Sequence, residues 1–421
     1  IDAPVFFNKP EANSTFLTAF PGYPTNQMPK FSPLFSPRIG FNWDVHGDAT
    51  TQIRGGAGLF SGAVPFVWVS NQISNTGILT QNATYSSHIK VNGAYVDQLT
   101  QNNITFKYNP SSENMGAFVP TGTTPSGGVI NVIKKDFKFP QVFRANLAVD
   151  QKLNVWGLIG TAEAVYTKTL NNASYTNINI SADGDSKVAI GPTTRPYWSQ
   201  YTNSSYGNVL LLGNSSAGSA YNFTAQIQKP YDHGWSGSVG YTYGHATSLN
   251  DLPSSVAQSN WRCPVTVNGL NHPDLSVSNF NMGSRIVGFI SKEFKYASDH
   301  LSTTFGLTYT GQSGQRMSYV YGNNILGDYT IGSTSGADAL VYIPKNATEA
   351  NFADISGGAT ASEQWQQFQQ FAKDNSYLQD HMGQNAKRNG ASLPWENHFD
   401  FRISQAFILK KDMKLEIFYS V

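Results

Sequence analysis

Side chains able to do chemistry are sparse in this sequence and do not gather into motifs. Eight His and one Cys are scattered among 27 acidic and 28 basic residues in a chain of 421. A zinc protease needs two His one helical turn apart, a serine hydrolase a nucleophile elbow, and a nucleotide-binding enzyme a glycine-rich phosphate loop; HExxH, GxSxG, the phosphate loop and CxxC do not occur. With Cys263 alone, an intrachain disulfide framework and a thiolate metal cluster are excluded. The run Ala182-Asp183-Gly184-Asp185 resembles the opening of a calcium loop, but the 12-residue ligand pattern does not follow, so a solvated turn is expected. His46, His233 and His300 fall in predicted turns with no common ligand spacing and read as surface residues. A glycosidase needs two facing carboxylates, and no spacing singles out such a pair. The chain is therefore expected not to be an enzyme, and no cofactor or metal is predicted.

The charges do recur in another way, at every second residue. Arg38 and Asp44, Arg54, Arg144 and Asp150, Glu163, Arg285, Asp400 and Arg402, Lys414 and Glu416 alternate with apolar residues, which places them on one face of β-strands. The opposite face carries Phe41 and Trp43, Phe143 and Leu147, Phe223, Val239 and Tyr241, Phe305, Phe401 and Ile417. The patterns pair into five hairpins, or ten long strands, joined by short polar links such as HGDAT, KPYDHG, YASDH and LKKDM. Between hairpins the links are long, at about 62–139, 171–216, 248–282 and 314–394, far beyond the roughly 4–6-residue median. Strict alternation of short and long links puts all the turns at one end and all the long loops at the other.

Composition agrees. Charged residues make up only 13%, aromatics also 13%, and there are 38 Gly; net charge is +1, so nothing suggests nucleic acid as a partner. No apolar run reaches the ~18 residues of a spanning helix. A mean hydropathy of −0.32 fits either a secreted all-β protein, such as a propeller or solenoid, or an outer-membrane barrel whose strands average lipid-facing and lumen-facing residues. No 40–50-residue blade period is visible, which favours the barrel. The charged row favours it too: charges must be paired or hydrated, so a dry sandwich core could not hold them, whereas a lumen filled with water or a polar plug could. The remaining soluble reading puts the same charges on a solvated face and requires a second apolar layer on the aromatic face, for which the loops offer few apolar stretches.

The loops carry one convincing helix, near Ala361–Lys373, with Ser362 as N-cap and Trp365, Phe368, Phe371 and Ala372 as an apolar stripe; it reads as a packing helix or a lid. FVWVSNQ at the start of loop 62–139 supplies aromatics that anchor the loop to the rim or stack on sugars. Asn-x-Ser/Thr triplets at Asn13, Asn82, Asn103, Asn172, Asn203, Asn214, Asn222 and Asn346 matter only in a eukaryotic secreted protein. The chain opens IDAPVFFNKP and closes IFYSV inside an alternating pattern, and it reads as a segment of a longer protein.

The stretches at 35–77, 136–153 (DFKFPQVFRANLAVDQKL), 163–180 (EAVYTKTLNNASYTNINI), 221–244 (YNFTAQIQKPYDHGWSGSVGYTYG) and 393–407 (LPWENHFDFRISQAF) resemble, in order, the barrel of Oar-like TonB-dependent receptors of Bacteroidetes, in the class that includes SusC-type glycan importers. The resemblance implies a 22-stranded barrel, an internal plug and a TonB box that engages an inner-membrane motor. Residues 1–421 would then be about half of such a barrel, without the plug, the early strands or the last strands. The expected function is ligand capture by extracellular loops and energy-coupled import across the bacterial outer membrane. The expected partners are outer-membrane lipid, TonB and the plug, and a surface lipoprotein or other protein at the loops. The alternatives are an outer-membrane scaffold or adhesin that binds a partner without transport, and a soluble carbohydrate-active β protein.

Overall fold

The computed structural model describes residues 1–7, 9–63, 65–78, 89–91, 94–96, 128–410 and 413–421. Ten strands form one antiparallel wall. In chain order these and the loop strands of four residues or more are β1 (Arg38–Asp44), β2 (Thr51–Ser61), β3 (Ile130–Ile133), β4 (Gln141–Lys152), β5 (Ile159–Asn177), β6 (Ser186–Ile190) and β7 (Thr193–Tyr197). They continue with β8 (Val209–Ser215), β9 (Ser219–Asp232), β10 (Trp235–Ser248), β11 (Gly283–Tyr296), β12 (Leu301–Gln312), β13 (Glu396–Lys410) and β14 (Met413–Ser420). The wall runs β1-β2-β4-β5-β9-β10-β11-β12-β13-β14, each strand beside its sequence neighbour in the wall. Eight of the ten have 11 residues or more, enough for the ~9–11 residues of a tilted membrane strand.

Side chains of directly paired residues share a face in an antiparallel ladder. Following Arg54↔Ala148, Ala148↔Glu163, Glu163↔Thr224, Thr224↔Thr242, Thr242↔Arg285, Arg285↔Gln312 and Gln312↔Glu396 carries one polar face from β2 to β13. The apolar positions propagate likewise through Phe41↔Gly55, Gly55↔Leu147, Leu147↔Ala164, Ala164↔Phe223 and Phe223↔Tyr243. One two-residue turn, His233-Gly234, has φ of +51° and +79°, the twist-matched link of a hairpin. A Cβ on Gly234 would meet the Glu293 carbonyl, so glycine is required there.

The core lies in the connections rather than in the wall. Trp198, Trp261, Leu270, Leu326 and Ala339 are at most 1% exposed and pack with Trp68, Phe137 and Tyr342, so the N-terminal part and all four long loops share one cluster. The expectation that the loops offer few apolar stretches is corrected: residues 209–212 and 130–133 are buried runs, and single apolar residues from the other loops join them by long-range contacts. The span 171–216, expected as a loop, is also largely strand. β5 continues to Asn177 and pairs with β8, which runs parallel to β3, while β6 and β7 form a hairpin of their own.

The helix at Ala361–Lys373 is present, but its N-cap is Thr360, not Ser362. Thr360 Oγ1 accepts from Glu363 N and the Glu363 carboxylate accepts from Thr360 N, a reciprocal capping box that fixes the cap two residues earlier than expected. Ala372 is buried, Trp365 and Phe368 stack at 5.6 Å, and Phe371 is exposed. It is one of several short helices among the described residues; FVWVSNQIS, expected as loop aromatics, forms another at Phe66–Ser74, with Trp68 and Val69 buried. Most of loop 62–139, the turn residues Lys411 and Asp412, and the triplets at Asn82 and Asn103 lie outside the described residues.

Candidate functional site

The polar face of the wall brings together all eleven charged residues named from the sequence. Arg54 stands opposite Ala148, whose short side chain lets the guanidinium reach over to the next strand: Nε donates to Asp150 Oδ2 at 2.9 Å, and Nη1 lies 3.8 Å from Glu163 Oε1. Asp150 Oδ1 also accepts from Thr161 Oγ1 at 2.7 Å. Arg144 Nε donates to Thr167 Oγ1 at 3.2 Å. Arg285 pairs by register with Gln312, which donates to Glu396 Oε2 at 3.1 Å. At the far edge Glu416 faces Arg402 at 3.8 Å and Lys414 at 3.1 Å, and Arg402 lies over the Phe418 ring. Asp400 is exposed opposite Thr308. Arg38 lies 4.3 Å over Phe60. Asp44 differs from the rest, because its carboxylate accepts from Gly47 N and Ala49 N and is spent on the first turn.

These pairs are half-exposed, and ion pairs in water contribute ~0–1 kcal/mol each, so they do little for stability. They create a hydrated surface of mixed sign that suits a polar occupant. The sequence did not reveal that Val287 and Phe289 also lie on this face, opposite Thr310 and Thr308.

Above the wall the loops form a cap stitched by buried polar groups. Arg195, 1% exposed, donates from Nη1 to Leu340 O at 2.6 Å and from Nη2 to Asn385 Oδ1 at 2.7 Å, tying the β6–β7 hairpin to the last loop. Burial pushes its guanidinium below the usual value. Asn271 and Asn177 exchange bonds at 2.8 Å, and Asn389 Nδ2 donates to Val277 O and Asn279 Oδ1. The abundant Asn thus satisfies backbone groups where the loops cross. Asp185 accepts from Ser199 N and Gln200 N, so the calcium-like run is a capped turn. Of the three His, His233 is next to Asp232, His300 Nδ1 meets Ala297 O, and His46 is exposed, each in its turn. Burial raises the Cys263 thiol.

Asp328 and Asp338 are fully buried in the cap, and both carboxylate oxygens of Asp338 and Oδ1 of Asp328 have no hydrogen-bond partner among the described residues. Asp328 Oδ2 accepts from Leu270 N at 2.6 Å. Burial and then the neighbouring Asp328 charge push Asp338 up to about 8, so its carboxyl holds a proton well above the usual carboxylate range. No sequence signal marks this pair, which only the crossing of loops brings together. Among the described residues no three His, Cys, Asp or Glu are grouped to hold a metal.

A family model described as "Outer membrane beta barrel domain" matches residues 4–418. No curated protein matches the chain. Among solved structures it is similar to the outer membrane transporter YddB from Escherichia coli, at 12% identity and a TM-score of 0.49, covering 93% of this chain and 36% of that one. It is also similar to a mutant of the ferric enterobactin receptor PfeA from Pseudomonas aeruginosa, at 10% identity and TM-score 0.37, covering 90% and 33%. A third is the ferric-catecholate import receptor Fiu of E. coli K12, at 11% identity and TM-score 0.32, covering 92% and 46%. The chain thus spans less than half the length of each, and all three are transporters or receptors rather than enzymes. Their polypeptides differ from this one at nearly nine positions in ten. What the match over 4–418 establishes is that the chain belongs to the outer membrane β-barrel domain family and resides in the bacterial outer membrane.

Proposed function

We propose that the chain is the barrel portion of a TonB-dependent outer-membrane receptor, of the Oar-like, SusC-related class, that captures a ligand on its loop cap and imports it through a plugged lumen. The observation that carries the reading is the uncovered apolar face. Phe41, Trp43, Leu147, Phe223, Val239, Tyr241, Phe305, Phe401 and Ile417 are 39% to 60% exposed, and Phe143 is half-buried. Full burial of such a side chain is worth about 1.5–3 kcal/mol, so nine left half-wet would forgo about 7–13 kcal/mol. That approaches the whole stability of a domain, about 5–15 kcal/mol, so the face belongs in hydrocarbon. The opposite face, from Arg38 to Glu416, then encloses the lumen. Its mixed charges hold a plug domain by many weak hydrated contacts that a pull from TonB can break in turn.

The test uses the full-length receptor in its own host. Import of the bound nutrient should stop when TonB is deleted, while binding to intact cells persists. Binding that supports no import in either strain would instead establish the scaffold or adhesin reading, in which the packed cap is a rigid platform for a surface lipoprotein or another protein.

A further inference from the structure

We propose that the short-turn end of the wall holds a specific glycerophospholipid site, with an acyl chain in an apolar groove and the phosphate on Lys229 and Lys292. The proposal rests on the outward reading of the apolar face. On that face the register places few charged side chains within the wall strands: Lys168 at the loop end, and Lys229, Asp232 and Lys292 together at the turn end. Lys229 follows Ile227 on β9 and faces Gly237, while Lys292 follows Ile290 on β11 and faces Trp235. Beside them is a groove of about 250 Å³ with Leu158, Ile227, Val239 and Ile290 along it and Trp156 and Trp235 at its mouth.

The mouth is built. Trp156 and Trp235 meet edge-to-face at 6.2 Å; Lys229 Nζ lies 5.4 Å from the Trp156 ring centre, and Lys292 Nζ lies 4.9 Å from that of Trp235. Trp156 holds a left-handed backbone, φ +50°, which bulky side chains rarely adopt. Tryptophan beside lysine is the chemistry of the boundary between acyl chains and headgroups. Each ammonium has three donors. Lys229, only 7% exposed, uses two, on Pro230 O and Asp232 Oδ2, and Lys292 uses one, on His233 O, which leaves two donors on Lys292 and one on Lys229 for a phosphate that enters beside the tryptophans. Two lysines against Asp232 leave a net positive mouth over an apolar slot, which complements a phosphate joined to acyl chains.

The full-length receptor, purified in detergent and then stripped of lipid, would be titrated with phosphatidylethanolamine and, separately, phosphatidylglycerol by native mass spectrometry. A first-bound lipid of either kind is expected, held about tenfold more weakly in the Lys229→Gln/Lys292→Gln double variant. Lys168→Gln, on the same face at the other end, should leave it unchanged. Equal retention by the double variant overturns the site, as does an equal loss with Lys168→Gln, which marks non-specific adhesion. A Leu147→Cys, Cys263→Ser variant carrying an environment-sensitive dye reports separately whether this face meets hydrocarbon. An apolar signal there with equal lipid retention sinks only the lipid site, and a water-like signal sinks the facing itself.

Discussion

Leu147 lies in the middle of β4 and is more than half exposed on the apolar face, while its neighbour Asn146 lies on the other. An arginine at the midplane of a barrel's lipid face costs about 2–4 kcal/mol, falling to about 0–1 near the interfaces. Leu147→Arg should therefore lower the yield of folded, heat-modifiable barrel in an outer-membrane assembly assay; Val239→Arg, close to the turn that opens β10, should lower it less, and Asn146→Arg hardly at all. Equal behaviour of Leu147→Arg and Asn146→Arg would remove the distinction between the faces. In the cap, Asp338 makes a different prediction. Between the ordinary carboxyl value of 3.8 and about 8, the folded chain keeps a proton that the unfolded chain has released. Stability from this group is full below that window and is lost as pH rises through it. Amide exchange around Leu270 and Leu326 should accelerate from about pH 6 to about pH 9 beyond the intrinsic rise, and Asp338→Asn should flatten the excess. A pH-independent protection factor in the parent chain would refute the proton held by Asp338.

Elements differ in how far local sequence determines them. The hairpin of β9 and β10 depends on one turn: Gly234→Val would force a branched side chain to φ +79° and against the Glu293 carbonyl. Strain of about 1–3 kcal/mol is expected, visible as slower barrel assembly with little change in the cap's near-ultraviolet circular dichroism. Thr360→Ala, which removes one half of the capping box, should cost the Ala361–Lys373 helix about 1 kcal/mol in denaturant titration of the cap. All ten wall strands were legible because period two is a local signal, and each two-residue step from Tyr221 to Ile227 repeats the same choice of face. The helix at Phe66–Ser74 was not legible: Pro65 gives it no side-chain cap, and its burial comes from the shared loop core and a Trp68 Nε1 bond to Ser254 O nearly two hundred residues away. The pairing of β8 with β3, in parallel, and with β5, antiparallel, was hidden for the same reason, since no tight turn joins β8 to either partner.

At the scale of the whole molecule, the antiparallel order puts every short turn at one end and the packed cap at the other. The two ends are built differently: the cap has a core of Trp198, Trp261 and Leu326, whereas the short-turn end has strand pairing, short links and the Trp156–Trp235 pair on its surface. A barrel inserts with its short turns on the periplasmic side, because long loops are what it presents to the exterior. In a Cys263→Ser background, Ser356→Cys in the last long loop should react with an impermeant maleimide on intact cells, whereas Asp48→Cys and Ser298→Cys, exposed in two of the short turns, should react only after the outer membrane is opened. The opposite pattern would invert the topology and place the cap in the periplasm, where it could capture no external ligand. Equal labelling of all three on intact cells would mean that the wall separates no two compartments. Because each position is exposed in the folded chain, a difference between them reports the membrane and not local burial.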